Sequence, residues 1–563
     1  MTISMWKHLA EVKRQSTLDA IRPEWRIQEP VPPAEELRDV TGPYIEQFLT
    51  PREIEITALD TLGIAKRTTT GEWTAVEVAE AFCHRAALAH QLVNCLHEIF
   101  FDAAIEDAKR LDAYFDEQGK PVGPLHGVPV SLKDQFHVSG VETTMGYVGW
   151  IGTFQGIEND ARRGVFESEL VRELRQLGAV LFCKTSVPPT LMAGETVNNI
   201  INYTFNPKNR LLACGGSSGG EGALIALKGS PGGFGTDIGG SVRIPAAFNG
   251  LFGLRPSFGR TPYEGVANSM DGQNTILSVI GPLSRTARSL QFLFQAVLSQ
   301  EPWLHDPLVL EVPWRSDIEN QTRALVAKSA SDPSSLSFAV MRHDRIALPH
   351  PPIARALGIV EHTLRRLGHR IIEWDPPSHM TGYGLAATVF DLDGGADVDY
   401  HFSLSGEDRP CQVILSSGHP QKVALDIAQL NVAKREYQKL YMDYWNSTAG
   451  LTGTGRPVDG LICPAAPHAA VIPTKFDYFG YCAFVNLLDY TSVVLPVTEA
   501  DKSVDLAEPP REFLSEFDEK VFWGYDADVY HGAPAGIQLV GRRLQEEKML
   551  VLAEYISTAL CKE

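Results

Sequence analysis

The sequence predicts an α/β fold in which a mixed, mostly parallel central sheet is covered by helices on both faces. Strand-like apolar runs lie at 128–132 and 179–183, and a helical pattern at 168–177 separates them. The same alternation returns late in the chain, where the run 338–341 precedes an amphipathic pattern over 357–367. Strands that alternate with helices favour parallel pairing, because each crossover places a helix on one face of the sheet.

Other elements follow from local signals. Thr74 and Glu77 form a capping-box pattern ahead of apolar residues at helical spacing, which predicts an amphipathic helix. Short apolar runs at 371–372 and 461–463 predict two more strands. No internal repeat accompanies them, so the elements belong to one continuous architecture.

The domain organisation is predicted as a helical arm over residues 1–55 and a single domain over 56–563. Prolines end the arm before the main body begins, at positions 30, 32 and 33. Residues 384–410 are rich in Gly, Asp and Ser and lack a clean period, which predicts a long loop or irregular insertion. Such a segment either caps a site, as part of a cap insertion over about 380–445, or is a surface excursion.

The composition of the 563-residue chain, 44% hydrophobic and 21% charged, is that of a globular protein with a large core. A net charge of −19 opposes binding to nucleic acid or to an anionic membrane surface, so a small neutral substrate fits better. Eight cysteines are scattered without Cys-x-x-Cys spacing, which indicates neither a zinc site nor a disulfide framework. Most are therefore predicted to be buried, reduced thiols.

The chain shows no targeting or membrane signal. Residues 1–26 lack the continuous apolar segment of a secretory signal, and no run approaches the ~18 apolar residues that a membrane span needs. Residues 561–563 match no prenylation or peroxisomal ending. These features predict a cytoplasmic protein.

Two glycine-serine segments, 214–222 and 235–243, contain the chemically informative pattern. Dense glycines bring backbone N–H groups close to a ligand. A phosphate cradle is disfavoured, because Glu221 lies where a P-loop needs Gly-Lys-Ser/Thr, and a dinucleotide fingerprint lacks its third glycine at Ile238. An α/β-hydrolase elbow is disfavoured, because Arg243 replaces the closing glycine.

An oxyanion hole is the interpretation that remains. Consecutive N–H groups from Ile238, Gly239, Gly240 and Ser241 could point at one developing negative charge, as acyl transfer requires.

Together the two segments resemble the amidase signature family. The run Gly-Gly-Ser-Ser-Gly-Gly at 215–220, the run Gly-Thr-Asp-Ile-Gly-Gly-Ser-Val-Arg at 235–243 and the tail through 253–256 match almost throughout. Residues 124–134 look like the family's lysine block, and residues 532–538 like its closing motif. The resemblance covers residue 55 onward, with a signature core at about 120–260, and within the family it is greatest to fungal acetamidase-like amidases and more distant to fatty acid amide hydrolases.

The resemblance implies a Ser-Ser-Lys triad that hydrolyses carboxylic amides to an acid plus ammonia or an amine. Ser241 would be the nucleophile and form the acyl-enzyme, Ser217 the proton relay, and Lys133 the base, desolvated so that it can accept a proton. Ser217 would be held by a cis peptide to Ser218. No metal or organic cofactor is implied.

Supporting roles follow for neighbouring residues. Asp237 and Arg243 look like an ion pair beside the nucleophile, and Ser218 is expected to bond to nearby backbone. Leu191 and Met192 align with pocket-lining positions in related amidases, although core packing accounts for them equally well. The predicted oxyanion and substrate-binding set is Ile238, Gly239, Gly240, Ser217 and Leu191.

Several alternatives to a self-sufficient amide hydrolase are compatible with the same signature. The glutaminase subunit of a tRNA-dependent amidotransferase shares the signature but would need an RNA-facing assembly, which the charge of −19 disfavours. A carbamate or ester hydrolase on the same triad, and a scaffold without activity, also stay open. The partner is expected to be a small amide, without nucleic acid, and a homodimer is left open.

Overall fold

The structure is a computed structural model that describes residues 4–415 and 417–562. Residues 1–3 of the predicted arm, and Glu563 at the end of the predicted domain, lie outside the described residues. Strands β1 to β13 are, in chain order, Leu96–Ile99, Pro129–Lys133, Val180–Thr185, Val197–Asn198, Asn202–Tyr203, Gly232–Asp237, Phe252–Arg255, Val279–Ser284, Ser337–Val340, Arg370–Glu373, Gly460–Pro464, Ser492–Glu499 and Pro534–Val540.

Helices surround these strands. In chain order α1 to α20 are Met5–Asp19, Pro43–Glu46, Pro51–Ala58, Thr61–Thr68, Ala75–Val93, Phe101–Gln118, Glu169–Gln176, Gly219–Ala226, Arg243–Phe248, Ala287–Leu298, Ser316–Ser329, Pro351–Arg366, His379–Val389, Ala396–Ser405, Ala424–Ser447, Ala449–Thr452, Gly480–Leu488, Glu516–Trp523, Ala527–Tyr530 and Glu546–Leu560.

The central sheet has eleven strands in the order β1-β3-β2-β6-β8-β7-β12-β13-β11-β9-β10, and β4 pairs with β5 apart from it. The predicted α/β fold with a mixed sheet is confirmed. The expectation that most pairs are parallel is wrong: only β2 with β3 and β6, and β9 with β10 and β11, are parallel. The other six neighbouring pairs are antiparallel.

The sheet is less parallel than expected because the strand-helix alternation in the sequence covers only some of its strands. Crossover helix α7 joins the parallel strands β2 and β3 near one end of the sheet, and α12 joins the parallel strands β9 and β10 at the other end. The middle strands β7, β8, β12 and β13 carried no such pattern, and they meet as antiparallel neighbours. Most central strands are buried at every residue, β2, β6 and β13 among them, so both faces of the sheet are covered as predicted.

The predicted elements are found close to their expected bounds. The two early strands are β2 and β3, and the three late ones are β9, β10 and β11. Thr74 caps α5 by accepting a hydrogen bond from the Glu77 backbone N–H, as the capping-box pattern predicts. All eight cysteines are free, and six of them are buried.

The prediction of a loop or irregular insertion at 384–410 is wrong, because this segment contains most of α13 and all of α14. The Ser378 hydroxyl caps α13 by accepting from the Thr381 N–H at 3.3 Å. Ala386 and Val389 are buried at helical spacing, which a glycine-rich composition concealed. This segment therefore presents an ordered helical wall to the site.

The N-terminal segment is docked on the edge of the sheet. Lys13 on α1 forms ion pairs with Glu98 at 2.6 Å and Glu142 at 2.8 Å, and the Thr17 hydroxyl donates to the His97 carbonyl at 3.4 Å. Of the helices described, none combines the length and the apolar character that crossing a membrane requires.

Candidate active site

Lys133 is the last residue of β2 and is fully buried. Its Nζ lies 2.8 Å from Ser217 Oγ and 2.8 Å from Thr236 Oγ1. The Thr236 hydroxyl donates its own proton to Gln135 Oε1 at 2.6 Å, so toward Lys133 it can only accept. A neutral amine here therefore gives one N–H to Thr236 and keeps its lone pair for the Ser217 hydroxyl.

The protonation of Lys133 is set by its surroundings. Burial lowers the pKa of Lys133 from 10.5 to about 7, although the negative charges of Asp237 and Glu221 oppose this shift. A substantial fraction of the amine is therefore neutral near pH 7, as a base requires.

Glu221 is a buried neighbour whose charge acts on Lys133, and in the sequence it served only to reject a P-loop. It is fully buried on α8, where it accepts hydrogen bonds from the Ser131 hydroxyl at 2.6 Å and the Thr185 hydroxyl at 2.9 Å. Burial raises the pKa of Glu221 to about 7, while these two hydrogen bonds oppose the shift. The sequence did contain a signal for its burial, because Glu221 is the single charged residue in a run of glycine, serine and alanine.

Ser217 and Ser218 lie just before α8, and both are buried. The predicted position of the cis peptide is wrong: it joins Gly216 to Ser217, one residue earlier than expected. Gly216 has no room for a side chain, since a Cβ there would lie 2.6 Å from the Ala193 carbonyl oxygen. The Ser218 hydroxyl donates to the Thr236 carbonyl at 3.4 Å, a backbone contact of the kind expected for it.

The turn that carries Ser241 is built around the Asp237 carboxylate. Asp237 accepts from the N–H groups of Gly240 at 2.9 Å and Val242 at 3.1 Å, from Arg243 Nη2 at 2.9 Å, and from Asn486 Nδ2 at 2.9 Å. Burial alone would raise the pKa of Asp237, but the charge and hydrogen bonds of Arg243 hold it well below its ordinary value. The ionised carboxylate thus fixes the backbone on both sides of Ser241.

The same contacts correct the predicted oxyanion hole. The Gly240 N–H is already bonded to Asp237, so it is not free for a substrate oxygen. Within residues 4–415 and 417–562, the N–H groups of Ile238, Gly239 and Ser241 donate to no protein atom. Gly240 has a different role: its φ is +126°, and a Cβ there would lie 2.7 Å from that of Cys482.

Ser241 lines a cavity of about 320 Å³, which we call the large cavity. Most of its wall is apolar and comes from Leu191, Met192, Ile238, Tyr383, Ala386, Ala387, Phe390, Ile414, Leu415, Phe476, Phe479 and Ala483. Two carboxylates, Asp391 and Asp477, also line it. Leu191 thus takes the predicted pocket position, and α13 supplies several of the other residues.

A second cavity of only about 20 Å³ also touches Ser241, and we call it the small cavity. Ser217 and Thr236 line it, and neither residue lines the large cavity. Both polar and apolar side chains form its remaining wall, which comes from Thr190, Leu191, Met192, Ile238, Asn268, Ser269, Met270, Gln273, Ser278 and Phe390. Ser241 therefore lies where two spaces of very different size meet.

Lys184, the other strand-end lysine, lies in a separate cluster. Its Nζ forms an ion pair with Asp134 at 2.9 Å and donates to the Thr143 hydroxyl at 2.7 Å, in accordance with the structural role expected for it. His126 and His531 each accept a backbone N–H, at 3.2 and 3.4 Å. Among the residues described, no group of three His, Cys, Asp or Glu side chains is arranged to hold a metal ion.

Comparison with known proteins extends over the whole of this architecture. The Amidase family model matches residues 77–550. The chain is 44% identical to an acetamidase of Aspergillus oryzae, with 100% of each chain covered, and 42% identical to an acetamidase of Emericella nidulans, with 99% and 98% covered. Among solved structures it is similar to a fatty acid amide hydrolase, with a TM-score of 0.89 and 31% identity over 99% of this chain and 95% of the other.

Proposed function

The chain belongs to the amidase family and is an amide hydrolase, and on this premise we propose that Ser241, Ser217 and Lys133 perform the hydrolysis through a covalent acyl-enzyme. The substrate is a carboxylic amide, and the products are the carboxylic acid and ammonia or an amine. Ser241 supplies the nucleophile, Ser217 carries the proton, and Lys133 stores it.

Acylation begins with neutral Lys133. Its lone pair takes the Ser217 proton as Ser217 takes the proton of Ser241, and Ser241 Oγ forms a bond to the amide carbon. The carbonyl π electrons move to oxygen, and the free N–H groups of Ile238, Gly239 and Ser241 are the donors proposed to bind that oxyanion. As the C–N bond breaks, the proton returns from Lys133 through Ser217 to the leaving nitrogen.

Deacylation repeats these steps with water. Lys133 withdraws a proton through Ser217 while the water oxygen attacks the ester carbon, and Ser241 recovers its proton when the C–O bond breaks. One amide and one water give one acid and one amine, and the protein returns to its starting protonation state.

The contact of Lys133 Nζ with Ser217 Oγ carries the proposal. Three facts support its use in catalysis: the amine is fully buried, its pKa is near 7, and Thr236 can only accept from it. A purely structural lysine is instead expected to have an acidic partner at short range, as Lys184 has in Asp134.

Serine variants test these roles. We expect wild type treated with an alkyl fluorophosphonate to gain one label on the peptide that contains Ser241, and Ser241→Ala to gain none and to lose turnover. Ser217→Ala should keep the labelling site but react ~10²–10⁴-fold more slowly, because only proton transfer is impaired. Ser218→Ala is the matched control, with a smaller loss.

The readouts are mass spectrometry of the labelled protein and ammonia release. Full turnover by Ser241→Ala would sink the proposal. A Ser218→Ala defect as large as that of Ser217→Ala would show that the first serine of the pair has no special role.

A further inference from the structure

The proposed proton transfer gives the two cavities different roles, because the leaving nitrogen and the acyl group of the substrate occupy different cavities. The leaving nitrogen must receive its proton from Ser217 Oγ, and Ser217 lines only the small cavity. Of the three free N–H donors, Gly239 lines only the large cavity, whereas Ile238 and Ser241 line both cavities. A carbonyl group held by these donors therefore directs its nitrogen toward the small cavity and its acyl group toward the large one.

The dimensions of the small cavity limit what can occupy it. About 20 Å³ is room for one molecule the size of water or ammonia. All its lining residues are buried or half-buried, so its wall is largely backed by protein. The large cavity, at about 320 Å³, has sixteen times the volume and includes the exposed Ala387 on its wall.

The small cavity also contains a polar group that is free to bind. Gln273 uses its side chain on the backbone, where Nε2 donates to the Ile276 carbonyl at 2.7 Å and Oε1 accepts from the Thr275 N–H at 2.6 Å. Asn268, by contrast, makes no side-chain hydrogen bond to any residue that the structure describes. Its carboxamide oxygen is an acceptor suited to the N–H groups of an unsubstituted amide.

We propose that the small cavity is a leaving-group chamber for ammonia, with Asn268 as a specificity residue, and that the enzyme is selective for primary amides of bulky apolar carboxylic acids. This inference rests on the proposed function of Ser217 and Ser241. A nitrogen that carries a methyl or larger group meets the chamber wall, whereas the acyl group can lengthen into the large cavity. The same chamber holds one water after ammonia leaves.

The first test uses wild type and matched substrates: 3-phenylpropanamide, its N-methyl and N-isopropyl derivatives, acetamide and N-methylacetamide. We expect 3-phenylpropanamide to have the highest kcat/KM. Overpacking the chamber should lower kcat/KM by about tenfold or more for each N-methyl amide, whichever acyl group it carries. N-isopropyl hydrolysis as fast as that of the primary amide would overturn the inference.

Two cavity variants separate fit from intrinsic reactivity. Met270→Ala widens the small cavity, so the ratio of kcat/KM for the primary amide to that for the N-methyl amide should fall about fivefold or more. Ile414→Ala widens only the large cavity. It should change the ratio of 3-phenylpropanamide to acetamide and leave the N-methyl ratio as in wild type.

The outcomes also separate the two proposals. If Met270→Ala leaves the N-methyl ratio unchanged, the chamber assignment is wrong. If wild type hydrolyses N-isopropyl amides well and Ser241→Ala does not, the chamber assignment is wrong but the nucleophile stands. Hydrolysis that persists in Ser241→Ala means instead that the proposed function has failed.

Discussion

The burial that suits Lys133 to its proposed role as a base is expected to lower the stability of the fold. The amine has a pKa of about 7 in the folded protein and 10.5 as its ordinary value, because it is buried among hydroxyl groups. Removing its proton in order to bury it costs free energy at neutral pH. This cost is a property of one side chain, and it can be measured without any substrate.

Lys133→Met should therefore be inactive yet more resistant to urea than wild type near pH 8. Between pH 7 and 10.5 the unfolded lysine binds a proton that the folded lysine lacks, so wild-type stability rises with pH. The advantage of the variant in free energy of unfolding should shrink by ~1.4 kcal/mol per pH unit over this window. Urea curves for both proteins at pH 7.5, 8.5 and 9.5 measure it, and a constant difference would contradict the buried neutral amine.

The sequence predicts which residues lie at the candidate site, but not the hydrogen bonds that each of them makes. Ser217, Ser241 and Lys133 stand in recognisable motifs, and the structure brings them to one place. Thr236 was visible in the same motif, but its role depends on a hydrogen bond to Gln135 across the pairing of β2 with β6. Gly240 was assigned to the oxyanion hole because no pattern states which way a backbone N–H points.

Elements show a similar division. The strand-helix alternation was legible where α7 and α12 cross over, because those helices have one apolar face. Helix α13 was missed because its exposed residues, Met380, Thr381, Gly384 and Ala387, include no charged side chain, so the sequence shows no polar face opposite the buried one. A wall of a binding site therefore looked like an irregular insertion.

The role of α13 as a cavity wall predicts a steric effect. Ala387 is exposed and lines the large cavity, so Ala387→Trp should fill part of that space without burying the new ring in the core. We expect kcat/KM for 3-phenylpropanamide to fall by about tenfold and that for acetamide to change less than about threefold. Thr381→Trp, exposed on the same helix and away from the cavity, is the control, and an equal loss on both substrates would refute the assignment.

At the scale of the whole molecule, negative charge is expected to disfavour anionic substrates, in addition to the steric limits set by the cavities. The net charge is −19, and the carboxylates of Asp391 and Asp477 line the large cavity. Asp391 has His419 as a partner at 3.1 Å, whereas Asp477 forms no ion pair with any described residue. Uncompensated negative charge at a cavity lowers the local concentration of anionic ligands.

A carboxylate on the distal ring of 3-phenylpropanamide should therefore reduce kcat/KM by about tenfold relative to a neutral carboxamide at the same position. The difference should narrow in 0.5 M NaCl, since salt screens exposed charges over a few ångströms, and in Asp477→Asn. Initial rates at both ionic strengths measure it. A ratio that is the same in low and high salt would mean that shape alone discriminates.

Two separate ranges of the chain form the two halves of the central sheet, and the residues of the candidate site come from both ranges. The six strands from β1 to β7 in the sheet order come from residues 96–284, and the five from β12 to β10 come from residues 337–540. In the part of the chain that the structure describes, these two groups of strands pair with each other only where β7 meets β12. Lys133, Ser217 and Ser241 belong to the first range of residues, but Arg243 beside Ser241 bonds to Asn486 and to Gln538 of the second.

This arrangement has a consequence for synthesis on the ribosome. At about 5–20 residues per second, ~15–60 s pass between the translation of Ser241 and that of Gln538. Throughout this interval the nascent chain carries Lys133, Ser217 and Ser241, but it lacks Gln538, and for most of the interval also Asn486, which are partners of Arg243 beside the turn. The hydrogen bonds that hold Arg243 beside Ser241 are therefore complete only when the last strands have entered the middle of the sheet, so the order of translation delays completion of the site until the chain is almost finished.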